Sequence, residues 1–340
     1  MKSNKEAKKT ERERVEERRD EVLSRGRKFK YPLQHAKYKV VVYTVVIATL
    51  AVVLLVVAGW LSLYKAQSTS DMVYRLASTL QLPVGEVDGE KVSYGDYLMI
   101  YRSSLRTVEQ QSGKLSDSEE DNEVRMTYKR AAIEAAEEYA YAAKLARETG
   151  VDVTDEEVDA SYEEHRTVGG SEQSEEAFLK IVSDNFGMSK DEYKRMLYLN
   201  LLKVRVMATT DVMAEQTATK VQQAISEAEK PAEGESDGGV VDLVTIAEGL
   251  GDAVQYEETG GLVDNKNIDG GRAAMATKLQ PGEVSEKFVS SNGDGYYFVK
   301  LIDRNDEKVS YASIKIPFNE FATEMQKLRD AGLVKEYIEI

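Results

Sequence analysis

The chain has no cysteine, two histidines (His35 and His165), one tryptophan and five prolines in 340 residues. Without cysteine it forms no disulfide, holds no thiolate-bound metal and carries no lipid on sulfur. Two histidines this far apart leave a zinc site without its usual donors, so neither a metal nor another cofactor is expected. Positive charge is scarce as well: 45 Lys and Arg stand against 60 Asp and Glu, a net of −15. Such a chain repels phosphate backbones, which argues against a nucleic-acid partner. The doublets Gly169-Gly170, Gly260-Gly261 and Gly270-Gly271 lack the Lys-Ser/Thr that completes a phosphate loop and read as turns. The acidic runs "SDSEEDNE" and "EGESD" lack the spaced glycine and terminal glutamate of a calcium loop and read as solvated segments. His165, in "SYEEHR", reads as a surface side chain.

Charge is missing altogether from Val40 to Tyr64, "VVVYTVVIATLAVVLLVVAGWLSLY", 25 residues in succession. A helix needs about 20 apolar residues to cross a bilayer, and Trp60 and Tyr64 suit its interface. The run is too long for a signal-peptide core and lies too far into the chain. A single transmembrane helix is expected, with membrane lipid as its partner. Residues 1–39 carry 14 Lys/Arg and 7 Asp/Glu, a net of +7, which leaves −22 for Lys65–Ile340 out of −15 for the whole chain. Positive flanks stay in the cytoplasm, so the N-terminal tail is expected inside the plasma membrane and residues 65–340 outside it. The tail has the charge to touch anionic head groups; its mixed run "KTERERVEERRDEVLSR" reads as a solvated helix.

After a stalk at 65–83, residues 84–230 read as a helical bundle introduced by a hairpin. Gly85–Val92 forms the hairpin around Asp88-Gly89, and Ser93 caps a helix bearing Tyr97, Leu98, Tyr101 and Leu105. A long helix over 122–149 ends at Gly150, with Tyr128, Ala132, Ala135, Tyr139, Ala142 and Ala146 on one face. Thr154-Asp-Glu-Glu157 and Ser189-Lys-Asp-Glu192 are capping boxes. Between them "SEQSEEAFLKIVSDNFG" is a helix closed by Gly187, and a last polar helix spans 209–230. Residues 231–239, "PAEGESDGG", are a linker by composition.

Residues 240–340 read as a small α+β domain. A helix over 240–251 and two turn-rich stretches lead to "SNGDGYYFVKLIDR" (291–304). Two more strand-like runs, "KVSYASIKI" and "LVKEYIEI", flank a helix over 318–328. In the 291–304 strand Tyr297, Val299 and Leu301 alternate with Tyr296, Phe298 and Ile302. Apolar on both faces, it is expected inside a sheet that is covered on both sides.

The ordered set "LPVGEVDGEKVSYGDYL", "KLARETGVDVTDEEVDASYEEH" and "AFLKIVSDNFGMSKDEYKRMLYLNLLKVRV" resembles the SurA-type N-terminal domain of envelope chaperones of the SurA, PrsA and PpiD kind, over residues 84–207. In those families it is joined to parvulin-type peptidyl-prolyl isomerase domains. "GGLVDN", "LQPGEVSEKFVS" and "GYYFVKLIDR" look like parvulin landmarks. The family's Gly-Tyr-His-Ile-Ile-Lys strand is here Gly295-Tyr296-Tyr297-Phe298-Val299-Lys300, so Tyr297 stands in the histidine's place. The nearest counterpart of the family's second histidine is Ser313, in Ser313-Ile314-Lys315-Ile316, after the domain rather than before it. The resemblance implies a bacterial envelope chaperone whose clients are unfolded or nascent polypeptides, with proximity to a translocon part of the expectation. Its parvulin-like domain is degenerate, and active isomerase or structural docking platform are the alternatives. Peptide contact is expected at Tyr97, Tyr101, Tyr193, Met196, Tyr297 and Phe298. No residue is assigned a catalytic role with both histidines replaced.

Overall fold

The computed structural model describes residues 11–30, 32–168, 171–230 and 239–340. They group into two compact units, one up to Ser68 and one from Thr69 to Ile340. In the first, α1 (Glu11–Lys30) is followed by α2 (Pro32–Trp60) and a π-helical turn, Leu61–Lys65. Tyr38–Lys65 is 28 residues long and contains an 18-residue stretch with a mean hydropathy of 3.0 that is not buried in protein. It is long and apolar enough to span a membrane, and it contains the expected run. Polar Thr44 and Thr49 return their hydroxyls to the carbonyls of Val40 and Val45, which leaves no side-chain donor of theirs unpaired in an apolar surrounding.

The second unit starts with a helix where a stalk was expected. α3 (Asp71–Thr79), within residues 65–83, is capped by the Ser70 side chain and buries Val73 and Ala77. The expected hairpin follows as β1 (Pro83–Val87) and β2 (Glu90–Ser93). Asp88 and Gly89 take φ values of 47° and 82° between them, the pair of left-handed residues that a two-residue hairpin turn requires. α4 (Tyr94–Ser112) is capped by Ser93, whose hydroxyl accepts from the Asp96 amide at 3.1 Å. α5 (Glu119–Thr149) starts three residues earlier than the sequence suggests. Ser118 caps it, and Glu119, Glu120 and Asp121 place negative charge where the helix dipole favours it.

α6 (Asp155–His165) and α8 (Lys190–Thr210) open on the two capping boxes, both formed. Between them lie a small hairpin, β3 (Thr167–Val168) and β4 (Ser171–Glu172), and α7 (Glu175–Phe186), which ends at left-handed Gly187. Tyr162, Phe178 and Tyr193 meet edge to face at 5.4–6.2 Å in the middle of this bundle. The last helix of the bundle is α9 (Val212–Ala228). Of the expected linker, 231–238 lie outside the described residues.

α10 (Leu243–Leu250) and a short 3-10 turn lead to β5 (Gln255–Glu258) and β6 (Val263–Asp264). α11 (Arg272–Ala276), β7 (Phe288–Val289), β8 (Gly295–Arg304) and β9 (Lys308–Pro317) follow. The sheet has the order β5-β9-β8-β7, with β6 also on β9. β8 is internal and covered on both faces, as its sequence implies. Tyr296 and Phe298 pack with Ile314 and Ile316 against α9 and α10, while Val299 and Leu301 pack with Tyr311 against Ala273 and Ala276 of α11. The alternation fails only at Ile302, where a bulge between Leu301 and Asp303 turns the side chain out to solvent.

Residues 240–340 do not all serve this sheet. After β9 the chain forms α12 (Glu320–Asp330) and β10 (Val334–Glu336), and β10 pairs with β1, antiparallel, Gly85 opposite Glu336. A Cβ on Gly85 would lie 2.5 Å from the Lys335 carbonyl oxygen, so glycine is needed for the strands to close. On α12, Phe321 meets Tyr141 of α5 at 5.4 Å. The run "LVKEYIEI" thus completes the hairpin sheet of the helical module. Its pattern says strand, but nothing local names the partner.

Two buried carboxylates lie at this junction. Asp211, 3% exposed, sits where α8 ends and α9 begins. One oxygen accepts from the Ala214 amide at 2.9 Å, and the other from the Asn319 and Glu320 amides at 2.8 and 3.0 Å. It therefore caps α9 and α12 together. Glu137 of α5, 1% exposed, lies under Arg329 of α12 at 2.9 Å, without the alignment of a hydrogen bond. Burial pushes its carboxyl up to about 7 against the pull of Arg329. Glu336 and Glu134 add to the rise, and Arg130 opposes it.

Asp211→Ala should destabilise the protein by about 2–4 kcal/mol, the loss of two caps and the exposure of buried amides to no acceptor. Asp211→Asn, with one carbonyl oxygen, can serve only one of the two helices and should fall between; urea unfolding of the three proteins checks the order. For Glu137 the native state holds the proton more tightly than the unfolded chain. Its contribution is therefore fully favourable below about pH 4.5 and is lost as pH rises through about 7. The displacement corresponds to roughly 3 kcal/mol. The stability of Glu137→Gln relative to wild type should accordingly rise between pH 5 and pH 8; a flat difference would mean that the carboxyl titrates normally.

Candidate functional site

Tyr297 and Ser313 lie on neighbouring strands and the same face. β8 and β9 pair antiparallel with Val299 opposite Ser313 and Tyr297 opposite Lys315, and residues two apart share a face. The two positions that the parvulin resemblance singles out are thus diagonal neighbours on the α11 side of the sheet. Ser313 is fully buried, and its hydroxyl has no hydrogen-bond partner among the described residues.

Tyr297 is 3% exposed and engaged on every side. Its hydroxyl donates to Asp294 Oδ2 at 3.1 Å, and Lys315 Nζ donates to the same oxygen at 2.6 Å. Phe288 stacks on the ring with centroids 6.1 Å apart. The Arg272 guanidinium lies 5.2 Å from the ring centroid and Lys315 Nζ 6.0 Å. Arg272 is aimed by its bond to the Asp269 carbonyl at 2.8 Å and its ion pair with Glu257. The Gly270-Gly271 doublet makes that loop possible. Both residues have positive φ, and a Cβ on Gly270 would lie 2.5 Å from the Ser290 hydroxyl.

Burial, and then the Asp294 carboxylate, push the Tyr297 hydroxyl above its ordinary value. For Asp294 burial acts upward, but the hydrogen bond and charge of Lys315 outweigh it and hold the carboxyl below its usual range. At neutral pH the group is a neutral phenol on a carboxylate–ammonium pair. It can offer shape and hydrogen bonds, and no member of it titrates near pH 7.

The other aromatic candidates are core. Tyr97 and Tyr101 are buried and stack at 6.0 Å, with Tyr94 at right angles to Tyr97. Tyr193 belongs to the central aromatic trio and Phe298 is fully buried. Met196 is half-buried at the edge of the same core. The periodicity that nominated these residues is that of a packed face, and packing is where they went. His165 is exposed, with Nδ1 2.7 Å from the Ser161 carbonyl; the side chain of His35 lies outside the described residues. Among the described residues no His, Cys, Asp or Glu group could hold a metal ion.

An open cleft of about 490 Å3 does exist between α6 and α8. Val158 and Tyr198 line it with Asp155, Asp191, Lys194 and Arg195. Lys194 is paired with Asp159, and Arg195 binds Asp96 at 2.9 Å while lying 5.4 Å from the Tyr198 ring. Sequence reasoning read Asp155 and Asp191 only as parts of the two capping boxes and missed the cleft. It also missed Asp294, which reads only as a turn residue in "SNGDG", and Arg272, which reads as a loop cation.

Tyr297→Ala should cost about 3–5 kcal/mol, as loss of a buried aromatic ring does. Tyr297→Phe keeps the stack on Phe288 and removes only the bond to Asp294, so its cost should be about 1–2 kcal/mol. Equal losses in chemical denaturation would show that the hydroxyl, and not the ring, holds the site.

No curated protein matches the chain. A family model, SurA-like N-terminal domain, matches residues 33–207, from the start of α2 to within α8. That is just over half of the 340 residues, and it takes in the helix long and apolar enough to span a membrane, the hairpin and the ordered series of capped helices. The chain belongs to the SurA-like N-terminal domain family.

Proposed function

We propose that this chain is a membrane-anchored chaperone, its tail in the cytoplasm and residues 65–340 outside, that holds unfolded or newly translocated polypeptides. The observation that carries the reading is the family match, which joins a spanning helix to a SurA-like module in one continuous segment. The +7 tail and the −22 remainder support the orientation. The α6–α8 cleft, with an apolar floor and charges of both signs, supports contact with an extended polypeptide of mixed sequence.

The sheet domain serves in this reading as a degenerate parvulin-like accessory. Isomerisation about an X–Pro bond needs no covalent step; it needs a site that favours the twisted amide over a barrier of roughly 20 kcal/mol. The adjacency of Tyr297 and Ser313 on β8 and β9 supports the correspondence with the two family histidines. The engagement of Tyr297 with Asp294, Phe288 and Arg272 supports the absence of turnover, because no part of the ring is free to meet an amide.

In bilayer discs, the full chain should slow aggregation of a denatured test protein at micromolar concentration, an affinity of roughly −8 kcal/mol. A photo-crosslinker at Tyr198 should capture diverse unfolded peptides. Capture of one folded protein alone would make the chain a docking platform instead. Proline peptides should isomerise at the uncatalysed rate, and Tyr297→His should not change that. Acceleration by the wild type that Tyr297→Phe abolishes without loss of stability would establish an isomerase.

A further inference from the structure

α3 is apolar on more of its surface than the protein covers. Val73 and Ala77 are buried, but Met72, Leu76 and Leu80, spaced four apart along the adjacent face, are 81%, 39% and 59% exposed. At that spacing they form one continuous stripe on the helix. The charges around it are uneven. Asp71 is paired with Arg102, whereas Arg75 is exposed and has no ion-pair or hydrogen-bond partner among the described residues. In a segment of net charge −22, α3 therefore presents a cation beside an apolar stripe.

Connectivity names the surface that meets this stripe. Asp71 follows Lys65, the end of the spanning helix, by six residues, which reach about 20 Å when fully extended. The polar layer of a bilayer is about 5–7 Å deep on each side, so even a fully extended connection keeps the start of α3 within about 15 Å of the head groups that α2 passes. A client polypeptide or a second copy would have to compete with a lipid surface tethered at that range.

We propose that α3 lies in the interface of the bilayer that α2 crosses, with Met72, Leu76 and Leu80 among the acyl ends of the head groups and Arg75 on the phosphates. Helices that lie in a membrane interface have this division into an apolar face and a basic edge, and an arginine beside such a face keeps its head in the polar layer. The chain would then touch the membrane at two places, the span and α3.

The absence of cysteine makes the test clean, since a single introduced thiol is the only one. Full-length Leu76→Cys and Met72→Cys, labelled with an environment-sensitive fluorophore in phosphatidylcholine discs, are compared with Glu156→Cys on α6. Lipids bearing a quencher at carbonyl depth should quench both α3 labels at least about twofold more than the α6 label. Adding Leu80→Glu to the Leu76→Cys chain should remove that excess. Quenching no greater than at Glu156→Cys overturns the proposal. So does a blue-shifted label that the lipid quencher does not reach, which would mean that polypeptide covers the stripe.

Discussion

The fold of the unit from Thr69 to Ile340 hangs on one buried carboxylate that ends one helix and begins two others. Asp211 interrupts what would otherwise be a single helix from Lys190 to Ala228 and gives both of its oxygens to backbone amides. An uncapped helix start leaves unsatisfied donors, and burying them without an acceptor is costly. The helical module, the helix that carries chain into the sheet domain and the helix that carries it back are therefore fixed at one atom group. Around it the Tyr296 hydroxyl donates to the Ala208 carbonyl at 2.7 Å, and Glu215 binds Lys287 of the sheet domain at 2.6 Å. These contacts determine where the sheet presents its α11 face.

What the sequence shows clearly is local. Ser93, Thr154 and Ser189 announce helix starts because a cap acts over three residues, and Asp88-Gly89 announces a turn because only two residues need left-handed angles. Gly150 and Gly187 end their helices in the left-handed conformation for the same reason. The double-sided apolar pattern of β8 placed it inside a sheet before any partner was known.

The parts hidden from the sequence are those that join residues far apart. Glu137 sits in "EAAEEYA" and looks like any solvated helix charge until α12 covers it. β10 has a strand pattern with no sign that β1, near the start of the module, is its partner. The aromatic candidates illustrate the same limit from the other side. Spacing identifies a face that will be buried, and it does not say whether protein or a client buries it. In Tyr97, Tyr101 and Tyr193 protein does. The site around Tyr297 was half visible: the strand and its odd tyrosine could be read, while Asp294, Arg272 and Phe288 come from three separate loops and strands.

The pairing of β10 with β1 sets an order of events during synthesis. β1 lies early in the helical module, and its second edge stays open until residues 334–336 have been made and have reached it. Until then the α5 surface that receives Phe321 and Arg329 is also bare. Contacts of such long sequence separation form late. The module is made first yet closes last, and until its final strand arrives it carries the open edge and bare apolar surface of an incompletely folded chain.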